Sequence, residues 1–350
     1  MLRPIINYFL ILFFISCGNG NNSANHINKN DLEKYDLKGH IKSIKVESFS
    51  LTNINDSINT LLDQSTNTIN DSVVKIKTLL DYETYKLFNK DGNLLEFVEY
   101  DWKGNKVDST RIKYDSKGKI KNKTQSETIT KYEYTEFDSL ININITAPNH
   151  SHRIAFIYNK KNRKIKRLEY KNDTLFEFTT YNYTKNGNEI ETNNYDYKSR
   201  LNISLLRKYD SVNNLLKDTY IRIDSLKTGI GKYQHYYKYN EKSKLVLKTN
   251  LGVLDKASPY SKSIYEYYRN GILKSQIEKD SSRNFEQERI QIFDKKGNII
   301  EHIWINEKKD TVLYHKDKYI YDNYGNWIKC TSPDSELKRE NVIERKIEYY

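Results

Sequence analysis

No Gly-x-Ser-x-Gly elbow and no His-Glu-x-x-His pair occurs in these 350 residues, so neither the hydrolase nucleophile turn nor the zinc-protease helix is written here. Methionine occurs once, proline four times and cysteine twice. The longest apolar run, Ile5 to Ile15, is broken only by Asn7. Its length is too short to span a bilayer at about 1.5 Å rise per residue. Beyond that run no convincing helical hydrophobic period appears, which points away from helices altogether. The glycines of "TGIGKY" (228–233) lack the spacing and following helix of a phosphate cradle and read as a turn.

Aromatics are abundant instead. Thirty tyrosines and twelve phenylalanines supply enough burial to argue against disorder. Charged residues make up 30% and the net charge is +12. Without Arg3, the only charged residue before Cys17, 57 basic and 46 acidic side chains remain. They are interleaved, as in "RIKYDSKGKIKNK" beside "SETITKYEYTEFD". Interleaving is what solvated strand faces and an AT-rich coding sequence produce, with an anionic partner as the competing reading and nucleic acid not expected.

The chain opens "MLRPIINYFLILFFISCGNGNN". A short basic start, an apolar segment and a cysteine form a signal peptide over residues 1–16. Phe14-Ile15-Ser16-Cys17 resembles the bacterial lipoprotein lipobox, with bulkier residues at the first two places. That resemblance implies acylation of Cys17 and strong anchoring through several chains; an ordinary secretory cut near Ser16 is the alternative. Residues 17–30 are rich in Gly, Asn and Ser and read as a flexible tether. Gly18 is not the Asp that retains some lipoproteins at the inner membrane, and no acidic residue precedes Asp31. An outer-membrane anchor facing the periplasm is therefore expected ahead of the cell surface. With Cys17 lipidated, Cys330 has no internal disulfide partner and reads as a buried structural thiol.

A short motif recurs through the rest. Close copies run from Tyr35-Asp36 to Gly39, Tyr100-Asp101 to Gly104, Tyr114-Asp115 to Gly118, Phe293-Asp294 to Gly297 and Tyr321-Asp322 to Gly325. Looser copies begin at Phe88, Tyr158, Tyr183, Tyr209 and Tyr239. The first turn residue is Asp, Asn or Thr, whose side chain accepts backbone N–H groups within a type I turn, and the fourth is mainly Gly or Asn, which tolerate positive φ. An apolar residue commonly follows two places later, as at Leu94, Ile120, Leu215 and Leu245. "YRNGIL" (268–273) reads as a shorter variant with a two-residue turn. Asp108-Ser109, Asp173-Thr174, Asp218-Thr219 and Asp310-Thr311 read as return turns. The expected fold is all-β: an extended, twisted antiparallel meander of repeated hairpins, roughly twenty strands, forming one domain over residues 31–350. Residues 53–72 and "TAPNHSH" (146–152) read as irregular insertions.

These motifs resemble the YD-repeat (RHS-like) family, specifically its small lipoprotein relatives, over about residues 31–350. The resemblance implies a β-repeat sheet. Large members build shells around a toxic C-terminal domain; here the repeats look too few for a closed shell, and toxin delivery is not implied.

Candidate chemistry is sparse. His150 and His152 share a face if extended, but no further ligands are marked, so a solvated loop is expected rather than a metal site. Acid pairs such as Asp115 and Glu127 arise by chance on so charged a surface. Trp102, Trp304 and Trp327, with tyrosine runs such as "YQHYYKY" (233–239), are candidate binding-face aromatics able to stack on sugars, sheet packing being the alternative. The functional expectation is a non-enzymatic binding or scaffolding module without cofactor or metal, reaching the membrane through its lipid and meeting an envelope protein or anionic glycan. A glycan-binding accessory lipoprotein and an envelope enzyme with an unrecognised site are the alternatives.

Overall fold

A computed structural model describes residues 30–53, 66–70, 73–77, 81–223, 230–252, 260–282, 285–334 and 339–350; the signal segment and Cys17 lie outside them. Among the described residues, a four-residue helix α1 (Asp31–Lys34) is followed by 25 strands that form one antiparallel sheet. The first strands are β1 (Ile41–Asn53), β2 (Thr66–Asn70), β3 (Val73–Lys77), β4 (Glu83–Phe88) and β5 (Leu94–Tyr100), and the meander runs on to β24 (Trp327–Asp334) and β25 (Arg339–Tyr349). Period-two alternation of Tyr, Thr and Ile with Lys, Asn and Glu suits these residues to a pleated surface with both faces partly covered.

The sheet returns on itself. β1 pairs β25 from Ile41 to Thr52 on one edge, and on the other it pairs β4 over Ser43–Glu47 and β3 over Ser50–Asn53. The expectation of too few repeats for closure is thereby corrected: β1 precedes the repeats, and it joins their first and last hairpins. Of the insertion 53–72, residues 66–70 form β2, which pairs β3.

Most predicted turns have the predicted geometry. The Asp115 N–H donates to Lys119 O at 2.8 Å, Gly118 N–H donates to Asp115 O, and Asp115 Oδ1 accepts from the N–H groups of Lys117 and Lys119. This is a three-residue loop, a type I turn closed by a left-handed residue. Gly104, Gly118, Gly297 and Gly325 have φ between 75° and 88°. The same loop closes Thr135–Asp138, Asp196–Ser199, Tyr268–Gly271 and Asn306–Lys309. The first, second and fourth were illegible because Asp, Ser or Lys holds the left-handed place; in the third, Tyr268 takes the Asp place, so it is no two-residue turn.

Four readings need correction. Tyr35-Asp36 to Gly39 is a helix C-cap: Leu37 N–H donates to Leu32 O at 2.9 Å and Asp36 N–H to Glu33 O, with Asp36 at φ 52°. Asp108-Ser109 and Asp218-Thr219 sit within β6 (Lys106–Tyr114) and β15 (Leu215–Ile223) rather than at turns. Their carboxylates are taken by cross-strand partners, Gln125 and Ser126 for Asp108 and Tyr237 for Asp218. The motif also serves both rims, since strands alternate in direction and Asp101–Gly104 follows Asn89–Gly92 by one strand. Gly231 lies inside β16 (Ile230–Tyr239), while residues 228–229 fall outside the described residues.

The repeated tyrosine has a structural task. Its hydroxyl donates to the backbone carbonyl two places past the preceding turn on the same rim: Tyr114 to Leu94 O, Tyr134 to Ile120 O, Tyr158 to Leu140 O, Tyr183 to Lys164 O, Tyr209 to Glu189 O, Tyr239 to Leu215 O and Tyr267 to Leu245 O, at 2.6–3.0 Å. The motif's aromatic and the residue two past its glycine are thus halves of one contact between neighbouring hairpins. Phe293 has no hydroxyl, and there Tyr268 of the previous hairpin donates to Phe293 O at 2.7 Å.

At the seam the ladder becomes a clasp. Tyr350 OH donates to Phe88 O at 2.6 Å, and Asn326, 3% exposed, exchanges hydrogen bonds with the Lys38 N–H and C=O and donates to Tyr349 OH. α1 lies across the first turn: Asn30 Nδ2 donates to Asp91 O, Leu32 N–H to Gly92 O, and Asp31 Oδ2 accepts from Leu94 N–H and Tyr114 OH. The hydrophobic core gathers here, with Leu32, Ile41, Ile44, Val46, Phe88 and Leu94 buried together.

Candidate binding faces

Because directly opposed residues of antiparallel strands share a face, the register sorts the side chains around the whole ring. One face carries the tyrosine ladder and most enclosed polar groups. On it, Cys330 lies opposite Tyr319 and Ile343, and Arg345 opposite Val46. The Arg345 guanidinium sits 3.2 Å from the centre of the Trp327 ring, and burial depresses its pKa to about 10. Burial, then repulsion by Arg345, lowers Lys86 to about 8; its Nζ lies over Tyr35 and Phe97. These cations rest on aromatic rings, an arrangement that compensates for desolvation. Burial pushes the Cys330 thiol up to about 11, which makes it the structural thiol expected.

The candidate residues are dispersed. Trp102 lies in the Asp101–Gly104 turn beneath Lys103 Nζ. Trp304, in β21 (Ile299–Ile305), packs against Arg289 with its Nε1 buried and unpaired among the described residues. Trp327 begins β24 and meets the edge of Tyr319. Trp304 and Trp327 share the tyrosine face at opposite ends of their strands, so the three do not lie side by side. His150 and His152 belong to β10 (His150–Tyr158), not to a loop, because Pro148 and Asn149 alone turn the chain. His152 Nε2 lies 3.2 Å from Glu169 Oε2. No group of three metal-ligating side chains occurs among the described residues. Asp115 and Glu127 lie in turns at opposite rims.

Two carboxylate clusters of this face are internally bonded. Glu169 and Glu177 oppose each other on β11 (Lys164–Lys171) and β12 (Thr174–Tyr183), and burial, then the bond with Glu169, raises the Glu177 pKa. Arg167 and His152 hold Glu169. Asp317, between β22 (Thr311–Lys316) and β23 (Lys318–Tyr321), accepts from Ser332 Oγ and faces His302 Nε2 at 3.7 Å. The carboxylate stands between hydroxyl and imidazole, the wrong order for an activated nucleophile.

The opposite face differs. On β10 to β13 (Glu189–Asp196) it carries half-exposed aromatics covered by cations: Arg153 lies 3.8 Å over Tyr170, Lys166 lies 4.4 Å over Phe178, and Phe178 stacks on Tyr195 at 4.9 Å. Asparagines flank this belt in pairs. Asn142 and Asn144 donate to Glu133, and Asn182 and Asn193 donate to Glu191. Ile129, Ile157 and Leu206 on the same face are exposed. None of the candidate aromatics lies in this stripe; the cations over Tyr170 and Phe178 come from pairing register, which sequence alone does not supply.

No protein-family model and no curated protein matches the chain. Solved structures give loose likenesses. The TcdB2-TccC3 structure lacking its hypervariable C-terminal region aligns at 12% identity over 73% of this chain and 18% of that one, with a TM-score of 0.26; this chain therefore spans under a fifth of that protein. A porin-like protein from Bacteroides uniformis ATCC 8492 aligns at 10% identity over 89% of this chain and 99% of that one, with a TM-score of 0.30.

Proposed function

We propose that this protein is a lipid-anchored module of the bacterial cell envelope, of YD-repeat (RHS-like) lipoprotein type, that binds or scaffolds through an extended face and performs no catalysis. Cys17 carries the lipid, and the outer membrane, periplasmic side, is its place. The observation that supports a binding role is the belt of Arg153, Tyr170, Lys166, Phe178 and Tyr195 on adjacent strands. Aromatics on successive strands, two of them under cations, present many weak contacts, each worth about 0.5–1.5 kcal/mol, and suit an envelope protein or an anionic glycan. The flanking asparagine amides favour the glycan as the second, narrower reading, since amides and aromatic rings together complement sugar hydroxyls and C–H faces.

Two measurements test this. Cys17→Ala should move the protein out of the membrane fraction and abolish fatty-acid labelling; labelling that persists removes the anchor. Affinity capture from intact membranes should then be weakened partially by Tyr170→Ala or Phe178→Ala and lost in the triple variant with Tyr195→Ala. Capture lost to one substitution with its neighbours silent contradicts a distributed face.

A further inference from the structure

On the tyrosine face, the register aligns Asp218, His235, Asn250, Ser261 and Asp280 in one row across five neighbouring strands, β15, β16, β17 (Leu245–Gly252), β18 (Tyr260–Tyr267) and β19 (Leu273–Ser282). Tyr233 lies next to the row and opposite Gly252. With no side chain at Gly252, an open pocket of about 180 Å³ remains, lined by Tyr233, His235, Asn250, Ser261 and Asp280 among others. We infer that this pocket binds a single sugar ring.

The inference follows from the hydrogen-bonding capacity left over. His235 Nδ1 lies 2.6 Å from Asp218 Oδ1, a close contact across the strand pair. Burial works against the charged form of Asp218. Hydrogen bonds from His235 and Tyr237 outweigh it and hold the carboxyl below the usual range. Asp218 therefore fixes the imidazole and is itself held by Tyr237 OH at 2.9 Å. Asn250 Nδ2 donates to Ser261 Oγ at 2.7 Å, yet its Oδ1 is buried with no partner among the described residues. A buried carbonyl oxygen without a donor is costly. Two acceptors thus converge on the pocket beside the His235 imidazole: Asn250 Oδ1 and the Asp280 carboxylate. The Ser261 hydroxyl adds one donor.

A ligand for this row must offer several hydroxyl donors at spacings of a few ångströms. It must also offer an apolar side to Tyr233, whose ring is 47% exposed and tilted against Tyr220 at 6.3 Å between centres. A pyranose does both: its hydroxyls point around the rim and its axial C–H groups form a flat apolar patch. An anion is disfavoured by Asp280, and an apolar ligand would leave Asn250 unsatisfied. Glu278, two places along the same face, already accepts from Gln276 Nε2, whereas Asp280 has no partner among the described residues, so its carboxylate is the natural acceptor for a hydroxyl pair.

This site rests on the reading of the protein as a binding module and adds to it a second site, on the face opposite the aromatic belt. The test titrates the lipid-free Cys17→Ala protein with methyl pyranosides of glucose, galactose, mannose and N-acetylglucosamine, using saturation-transfer NMR and calorimetry. At least one should bind with millimolar affinity, and Tyr233→Ala and Asp280→Asn should each weaken it tenfold or more while far-UV circular dichroism and the melting temperature stay at wild-type values. Asn250→Leu, which removes the unpartnered carbonyl oxygen, gives a second reading of the same pocket and should also weaken it. Failure of all four sugars to bind overturns the site, as does binding indifferent to Tyr233 and Asp280. If membrane capture persists in the Tyr233→Ala/Asp280→Asn protein while no sugar binds, the sugar site falls and the binding module stands. If capture also fails for the unmutated lipoprotein, both fall.

Discussion

Replacing Asn326 with Ala isolates the contribution of the clasp that joins the ends of the sheet. Its side chain accepts from Lys38 N–H at 2.8 Å and donates to Lys38 O at 2.8 Å and Tyr349 OH at 2.9 Å, with 3% of the residue exposed. A buried hydrogen bond contributes about 0.5–1.5 kcal/mol net. Three, lost together beside the core, give roughly 2–4 kcal/mol after some water entry. Asn298 occupies the same place in the previous turn on that rim and donates to Tyr321 OH at 2.8 Å, without any N-terminal segment against it. Asn298→Ala should therefore cost only about 1 kcal/mol. Urea unfolding of the two variants, with amide exchange of residues 38–41, measures the difference. Equal losses, or unchanged exchange at His40 and Ile41, would refute the idea that this segment fastens the ring.

Other outcomes follow from the same contacts. Tyr158→Phe, which removes the donor to Leu140 O, should lower stability by about 1 kcal/mol, and Phe293→Tyr, which supplies a hydroxyl where the ladder's rule aims it at Leu273 O while Tyr268 still serves Phe293 O, should raise it by up to about 1 kcal/mol; denaturant midpoints decide both. Gly104→Ala, at φ 84° with nothing within 4 Å of the new Cβ, should cost only the left-handed strain of about 1–2 kcal/mol, while Gly92→Ala should cost more, since its Cβ would lie 2.6 Å from Asn30 Nδ2. Lys86 has a folded pKa of about 8 against an ordinary 10.5, so the unfolded chain binds more protons between those values and stability from this group rises with pH there. Lys86→Met should stabilise the protein at pH 7 by about 1–3 kcal/mol, the full linkage of about 3 kcal/mol being offset by lost ring contacts, and the advantage should shrink by pH 9.5. Cys330, buried with its thiol raised to about 11, should resist thiol reagents at pH 8 until the protein is unfolded, as thiol titration of the Cys17→Ala protein would show.

Much of the fold was legible because it is local. Asp at the first turn place and Gly at the fourth specify a loop through hydrogen bonds spanning four residues, and Tyr114, Tyr158 and Tyr209 mark strand ends by alternation alone. The readings failed where partners lie far apart in sequence. Asp108 and Asp218 resemble turn residues until cross-strand neighbours take their carboxylates, and Asp36 resembles a hairpin until the helix before it appears. Closure depends on β1 meeting β25 almost three hundred residues away, a distance over which no short motif reports. The same holds for the sugar pocket, whose row collects one residue from each of five strands.

Closure of the sheet requires that β1 joins β25. Ser50 and Asn341 are directly paired, 291 residues apart in sequence, with Ser50 Oγ 2.9 Å from Asn341 Oδ1. In the Cys17→Ala background, Ser50→Cys/Asn341→Cys should form a disulfide on mild oxidation, identified by peptide mass mapping, because paired residues of adjacent strands lie within reach of an unstrained bridge. A protein that keeps its β-sheet spectrum while the Ser50→Cys and Asn341→Cys positions stay free thiols would contradict the closed sheet.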